Sequence, residues 1–130
     1  MSLTPVFSVL VRCAADDPWP PSRSRSPFSQ GRGQETPGED PYLTSEYAYL
    51  FVTGFQGGEK GAHGGYLKAS SCCKHYAVYN VEGGKNGIPG RNNFNAVVDD
   101  PRDFEDTYFP AFQSCAQRAG ASGVMCSCEY

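Results

Sequence analysis

The chain has 130 residues, of which 39% are hydrophobic and 13% aromatic, and this composition is compatible with one packed domain. Its formal net charge is −3, so it offers no basic surface for a phosphate backbone, and we do not expect nucleic acid as a partner. No segment approaches the roughly 20 consecutive apolar residues of a membrane-spanning helix, so we do not expect a membrane partner either.

Residues 1–30 differ from the rest of the chain in composition. They contain the segment DDPWPPSRSRSPFSQ, which is rich in proline, serine and arginine and follows neither the helix period nor the strand period. We therefore expect an unstructured leader over residues 1–30. The apolar run from Val6 to Val11 has no lysine or arginine before it and is followed by Arg12, so it is not a convincing secretory signal peptide.

A first helix is predicted from Asp40 onward. Aspartate is a preferred N-cap residue, and proline is favoured at the first helical position, which is Pro41 here. Four apolar residues then recur at helical spacing: Leu43, Tyr47, Leu50 and Phe51. This spacing predicts that they form the buried face of the helix, and either Gly54 or the pair Gly57 and Gly58 is expected to end it.

The segment from Tyr66 to Cys73 predicts a buried strand, because it is short, partly apolar and preceded by glycines. It leads towards the loop VEGGKNGIPGRNNFNAVVDD. A loop of this length in a compact domain is more often functional than accidental.

Asp100 and Pro101 predict the start of a second helix by the same N-cap chemistry. Its buried face is predicted from four residues at helical spacing: Phe104, Tyr108, Phe112 and Cys115. Pro110 is expected to kink the helix and Gly120 to end it. A second short strand is predicted in the apolar segment SGVMCSC that follows.

The six cysteines include no Cys-x-x-Cys pair, and His63 and His75 are the only two histidines, so we expect no metal site. Cys72 and Cys73 are adjacent, so in a strand they point to opposite faces. We interpret the cysteines as buried thiols in preference to disulfides, because free cysteine behaves as a small hydrophobic residue. A secreted location would favour disulfides instead.

The predicted order of helix, strand, long loop, helix and strand is typical of an α/β fold with a parallel sheet. Two strands do not make such a sheet stable, so the chain is expected to be part of a larger structure. Sites in parallel sheets lie at the carboxyl ends of strands, where Lys74 and His75 follow the first strand and Cys128 ends the second. The two cationic side chains suit hydroxyl groups or an anion. The alternative is a solvated Lys74 beside a core histidine.

Four segments occur in a fixed order over residues 31–127: GRGQETPGEDPYLTSEYA, CCKHYAVYNVE, FNAVVDDPRDFEDTYFPAFQSC and ASGVMCS. Together they closely resemble the N-terminal domain of glycoside hydrolase family 3, in its β-xylosidase and α-arabinofuranosidase branch. The resemblance implies a partial (β/α)8 TIM barrel over residues 31–130, with about two strands and two main helices. It places a sugar pocket at the carboxyl ends of the strands and implies that residues 1–30 are foreign to the family.

Four substrate-binding residues are implied by the same resemblance: Arg32, Lys74, His75 and Arg91. The first matches the arginine of a Gly-Arg motif, the lysine and histidine match the family's Lys-His pair, and the last resembles an arginine of the following loop. Such donors suit the hydroxyl groups of the sugar at the nonreducing end. Glu35, Glu39 and Asp40 are not expected to be catalytic, since Asp40 already has a role as a helix cap. No metal or organic cofactor is implied.

The resemblance implies a parent enzyme that is a retaining, exo-acting β-xylosidase or α-arabinofuranosidase. It would hydrolyse the ends of xylo- or arabino-oligosaccharides in xylan catabolism, outside the cell or in the cell wall. Hydrolysis with retention of the anomeric configuration needs two carboxyl groups about 5 Å apart. The resemblance places both groups beyond Tyr130. We therefore expect no catalytic residue in this chain and no activity of the chain alone. Cys128 stands where relatives carry a tyrosine. The alternatives are a non-catalytic carbohydrate-binding remnant and a non-functional truncated gene product.

Overall fold

The computed structural model describes the following residues: 10–11, 36–38, 40–58, 66–79 and 97–127. Three strands and one regular helix have these bounds: β1 Leu10–Val11, α1 Pro41–Gln56, β2 Cys72–Tyr76 and β3 Gly123–Cys126. Within the described ranges, no helix is both long and apolar enough to cross a membrane.

The second helix, α2, is one helical segment between β2 and β3 that changes its pitch. It consists of four stretches, alternately α-helical and π-helical: Pro101–Asp103, Phe104–Tyr108, Phe109–Gln113 and Ser114–Arg118. At Pro110, where a kink was predicted, the irregularity is a wide turn just before the proline: the N–H of Phe109 donates to the carbonyl of Phe104, five residues earlier. A wide turn suits a proline, which lacks an N–H and crowds the carbonyl four residues before it.

Both helices begin as predicted. The carboxylates of Asp40 and Asp100 cap α1 and α2, each accepting a backbone N–H of the first turn at 2.9 Å. α1 is closed by Gly57, one of the predicted stop residues, which has a φ of 105°. Gly120, with a φ of 63°, follows α2. Both glycines thus adopt the left-handed conformation that an ordinary side chain disfavours.

The three strands form a parallel sheet in the order β1, β2, β3. This confirms the predicted α/β arrangement of parallel strands with two main helices. β1 was not predicted: Leu10 pairs with Cys72 and Val11 with Cys73, although both lie in the segment expected to be a leader. A strand of two residues is too short to show a period in the sequence. The remainder of residues 1–30 is outside the described part of the chain.

Strand β2 lies further along the chain than predicted. Tyr66 forms only an isolated bridge, and the strand itself runs from Cys72 to Tyr76. The predicted boundary follows the apolar residues, whereas pairing with β3 extends to Tyr76. Lys74 and His75 are therefore inside β2, near its carboxyl end, and not after it.

The predicted buried face of α1 is wrong. The residues that the helix buries are Thr44, Ser45, Ala48, Val52 and Gln56. The predicted apolar face is largely open, with Leu43 52% and Leu50 66% exposed. Small residues on the buried face let α1 and α2 approach closely, and the hydroxyl of Ser114 donates to the carbonyl of Ser45 at 2.7 Å.

The core lies between α1, α2 and β2. Its buried apolar members are Ala48, Val52, Cys73, Phe112 and Cys115. The buried face of α2 was predicted more accurately than that of α1. Three of its four predicted residues are buried: Tyr108, Phe112 and Cys115. Larger side chains thus come from α2, and α1 contributes the smaller ones.

Cys73 and Cys115 form a disulfide inside this core, which joins β2 to α2. The preference for free thiols is therefore wrong for this pair. The two cysteines are 42 residues apart, and sequence spacing does not reveal which cysteines meet in the fold. Cys72 and Cys126 are the free cysteines of the described residues. Cys73 is fully buried and Cys72 only partly, as expected for neighbours on opposite faces of a strand.

A buried amide links the end of α1 to the starts of β2 and β3. The side chain of Gln56, only 3% exposed, donates to the carbonyl of Gly120 at 3.0 Å. Its oxygen accepts the N–H of Ser122 at 3.0 Å and the hydroxyl of Ser71. The side chain of Gln56 thus satisfies polar groups of the two segments that lead into β2 and β3. Because buried polar groups need partners, these hydrogen bonds stabilise the position of the two segments relative to each other.

Candidate functional site

The candidate site is centred on Lys74 and His75, at an irregularity of β2. Cys73 pairs with Val124 of β3, and Tyr76 pairs with Cys126, so three residue steps along β2 correspond to two along β3. The extra residue is a β-bulge. Bulges re-aim side chains and are frequent beside active sites.

The bulge is anchored on both sides. Before it, Cys73 is fully buried and bonded to Cys115 of α2. After it, the ring of Tyr76 stacks on Phe109 at 5.8 Å and meets Phe112 edge-on at 5.0 Å. Fixed neighbours of this kind limit how far the residues between them can move.

Lys74 and His75 are both partly buried, and within the imidazole of His75 the Nδ1 atom is fully buried. The imidazole of His75 stacks on the ring of Tyr79, with centroids 4.4 Å apart and planes 23° from parallel. The chain reverses between them, and Val78 has a φ of 61°, in the left-handed region. This conformation is rare for a β-branched residue.

The other two predicted ligands lie outside the part of the chain that the structure describes. Arg32 and Arg91 are outside the described residues, as are Glu35, Glu39 and Cys128. Of the four predicted ligands, the described part of the structure therefore contains Lys74 and His75. Asp40 is described, and its carboxylate caps α1 as expected.

The described carboxylates with defined contacts serve structural purposes. Asp40 and Asp100 cap helices, and Asp100 also pairs with Arg102, whose guanidinium lowers the pKa of that carboxyl. Glu46 on α1 pairs with Arg118 on α2, and the hydrogen bond from the guanidinium lowers the pKa of Glu46. The arrangement at β2 supplies donors, from an ammonium and an imidazole, which suit the binding of hydroxyl groups or of an anion.

Tyr79 was missed by sequence reasoning. In an extended strand, residues four apart lie about 13 Å from each other, so the spacing of His75 and Tyr79 gives no reason to expect contact. The contact depends on the turn at Ala77 and Val78, and this turn lacks the glycine or asparagine that marks a left-handed position. An aromatic pair four residues apart is the single signal that the sequence offers.

No protein-family model matches the sequence. The chain is 50% identical over 97 residues to β-xylosidase/α-L-arabinofuranosidase 2 of Medicago sativa subsp. varia. It is 46% identical over 97 residues to β-D-xylosidase 3 of Arabidopsis thaliana. Each match covers 75% of this chain and 12% of the relative, so the chain spans about an eighth of the length of these curated relatives.

A solved structure is similar over the same share of the chain. It is a GH3 exo-β-xylosidase, XlnD, in complex with a xylobiose aziridine activity-based probe. The TM-score is 0.67 and the sequence identity 36%, over 76% of this chain and 12% of that one. Agreement in sequence with xylosidases from two plants, and in backbone with a solved GH3 enzyme, shows that this chain belongs to glycoside hydrolase family 3.

Proposed function

We propose that this chain forms part of the sugar-binding site of a β-xylosidase or α-arabinofuranosidase, in which Lys74 and His75 bind hydroxyl groups of the substrate. The observation that carries the proposal is the bulge in β2, which holds both residues near the carboxyl end of the strand between two anchored neighbours. The names of the similar relatives supply the substrate class. Arg32 and Arg91 complete the proposed ligand set on the family motifs alone.

The chemistry of the two residues fits a sugar. Lys74 offers up to three N–H donors, and the imidazole of His75 offers a donor when Nε2 carries the proton, since Nδ1 is buried. Hydrogen bonds from a charged donor are roughly twice as strong as neutral ones. Such contacts fix the terminal sugar of a xylo- or arabino-oligosaccharide so that its anomeric carbon meets the reacting groups.

In this proposal the reaction retains configuration and passes through a covalent glycosyl-enzyme. The nucleophile and the acid/base are two carboxyl groups about 5 Å apart. Both come from parts of the parent enzyme that this chain does not supply. The proposed contribution of Lys74 and His75 is therefore to bind and orient the sugar, and the 130-residue chain alone is expected to hydrolyse nothing.

The proposed architecture is a partial (β/α)8 barrel over residues 31–130, to whose sheet β1 is added from the segment that was predicted to be a leader. Apolar residues that remain open support it, since Val124 and Met125 of β3 are 44% and 46% exposed. Parallel sheets are normally covered on both faces, and their outer strands continue into further strands or are protected. The open apolar face of α1, which includes Leu50, supports the same view.

A groove of about 390 Å3 beside β3 adds to this support. Its lining includes the apolar or aromatic residues Tyr76, Phe109, Phe112 and Val124 and the polar residues Glu105, Gln113 and Gln117, and Lys74 and His75 do not line it. Its aromatic and apolar residues suit the packing of a further helix of the barrel, with the polar ones at its border to solvent left exposed on α2. We therefore treat the groove as part of the scaffold and not as the sugar site.

An extracellular or cell-wall location is proposed for the parent enzyme. The disulfide between Cys73 and Cys115 supports it, because disulfides persist in oxidising compartments and are rare in the cytosol. Xylan and its oligosaccharides, the proposed substrates, are cell-wall polymers and their breakdown products.

The proposal is tested in the full-length product of the transcript that carries this chain. We expect it to hydrolyse 4-nitrophenyl β-D-xylopyranoside or the corresponding α-L-arabinofuranoside. Lys74→Ala should lower kcat/KM roughly 10- to 100-fold, because a hydrogen bond from a charged donor is lost. The control is Lys68→Ala, at an exposed lysine before β2. Equal activities of the two variants would contradict the proposed site.

The 130-residue chain is assayed in parallel with the full-length product. Hydrolysis of the aryl xyloside by this chain, abolished by Lys74→Ala, would contradict its expected inactivity. A saturable titration with xylobiose and no hydrolysis would instead favour the carbohydrate-binding remnant. A non-cooperative thermal melt with exposed apolar surface would favour a truncated product that does not fold.

A further inference from the structure

We propose that Tyr79 is a positioning residue for His75: its ring fixes the plane of the imidazole so that Nε2 is presented to a sugar hydroxyl, while Nδ1 lies buried. The inference rests on the proposed role of His75 in substrate binding. It assigns a function to a residue that is not among the four predicted ligands.

The first argument is the geometry of the stack. The two ring centroids are 4.4 Å apart and the planes differ by 23°, which is an offset-stacked aromatic contact. Both nitrogens of an imidazole lie in the plane of the ring, and their hydrogen bonds point outward in that plane. A partner on the ring face therefore fixes the plane of His75 without occupying its nitrogens.

The second argument is the backbone that produces the stack. Val78, between the two rings, has a φ of 61°. A non-glycine residue in this region is unfavourable and persists only where the surroundings enforce it, and such residues cluster at ligand sites. Val78 is also β-branched, which makes the conformation rarer.

The third argument is that the stack does not serve the core. His75 and Tyr79 are both only partly buried, and neither belongs to the buried apolar cluster. Tyr76, the other aromatic residue of this segment, packs against Phe109 and Phe112 of α2. The segment thus directs Tyr76 to the scaffold and Tyr79 to the candidate ligand His75.

A double-mutant cycle in the full-length product tests the role. Tyr79→Leu should lower kcat/KM about 3- to 10-fold, as expected for the loss of an aromatic pair, whereas Tyr79→Phe, which keeps the ring, should stay within about twofold. If Tyr79 acts through His75, Tyr79→Leu causes no further loss in the His75→Ala background. Tyr66→Leu, at a tyrosine that is 79% exposed and lies outside the open face of α1, is the matched control and should stay within about twofold.

A merely structural role predicts a different result: the losses from Tyr79→Leu and His75→Ala would multiply, and this would overturn the inference while Lys74→Ala still reports on the proposed function. If Lys74→Ala has no effect, the proposed function itself fails. Should Tyr79→Leu not fold, the unmodified 130-residue chain decides. It has two histidines, and ring-proton signals of His75 at the positions of free histidine would overturn the stack.

Discussion

The sulfur atoms of Cys73 and Cys115 are joined across the core, and this bond ties α2 to the residue directly before Lys74. The anchor of the candidate site is therefore a covalent one, placed where the bulge begins. A site near the end of a single short strand gains little rigidity from the sheet alone. The disulfide supplies a second point of attachment, on the helix that covers the strand.

Removal of this disulfide should destabilise the fold. For Cys115→Ala we expect the free energy of unfolding to fall by about 2–4 kcal/mol, because the unfolded chain regains the freedom that a closed loop removes. Guanidinium denaturation monitored by circular dichroism measures the change. Cys126→Ala, at an exposed free cysteine, is the control and should be neutral. Unchanged stability of Cys115→Ala, or six titratable thiols in the unmodified chain, would contradict this.

Replacement of the buried amide should also be costly. Gln56→Leu leaves the carbonyl of Gly120 and the N–H of Ser122 without their partner, and each unsatisfied buried group costs about 1–3 kcal/mol. We expect a loss of about 2–4 kcal/mol in the free energy of unfolding. Gln117→Leu, the same change at an exposed position of α2, should stay within about 0.5 kcal/mol. Equal effects of the two variants would rule out the proposed role of Gln56.

The ion pair between Glu46 and Arg118 predicts a pH dependence. The guanidinium holds the pKa of Glu46 below its ordinary value of 4.5. A depressed folded-state pKa means that the pair stabilises the fold above the unfolded pKa and that this contribution is lost as the pH falls through the folded value. The Tm advantage of the unmodified chain over Glu46→Gln should therefore be present at pH 6–7 and shrink below about pH 4.5.

Thermal melts between pH 7 and pH 3 at low ionic strength measure this difference. The pair is exposed, so the advantage should be small and should also decrease in about 1 M salt. A difference that grows as the pH falls would show that the sign is wrong.

The open face of α1 distinguishes the chain from its proposed parent. In the 130-residue chain, Leu50→Lys should change the free energy of unfolding by less than about 0.5 kcal/mol, because the side chain is already 66% exposed. In the full-length enzyme the same change should cost at least about 1.5 kcal/mol, since the rest of the barrel would cover this face. Ala48→Lys, at a fully buried position, should destabilise both proteins. Tolerance of Leu50→Lys in the full-length enzyme would argue against the barrel.

Local chemistry made the helix starts predictable. Asp40 with Pro41, and Asp100 with Pro101, form caps whose hydrogen bonds stay within the first turn, so neighbouring residues suffice to recognise them. The buried face of α1 was not predictable in this way. Its aromatic residues stack along the helix surface, Tyr47 on Phe51 at 5.6 Å, while the small residues pack against α2. Which face is buried depends on the partner, and the partner is distant in sequence.

The candidate site was predictable in part. Lys74 and His75 were singled out by their position near a strand end and by the resemblance to a family motif. The bulge, the disulfide beside it and the stack of His75 on Tyr79 depend on residues that meet only in the fold. The bulge cannot be predicted from the sequence of β2, because a residue is an extra one only in comparison with the partner strand, which is β3 here.

The bulge also makes the length of this segment intolerant of insertion or deletion. Side chains alternate along a strand, so the one additional residue between Cys73 and Tyr76 determines which side Tyr76 occupies. Removal of a single residue there would restore regular pairing with β3 and would turn Tyr76 away from Phe109 and Phe112. The spacing from the disulfide to the aromatic anchor is thus itself a determinant of where the lysine and the histidine point.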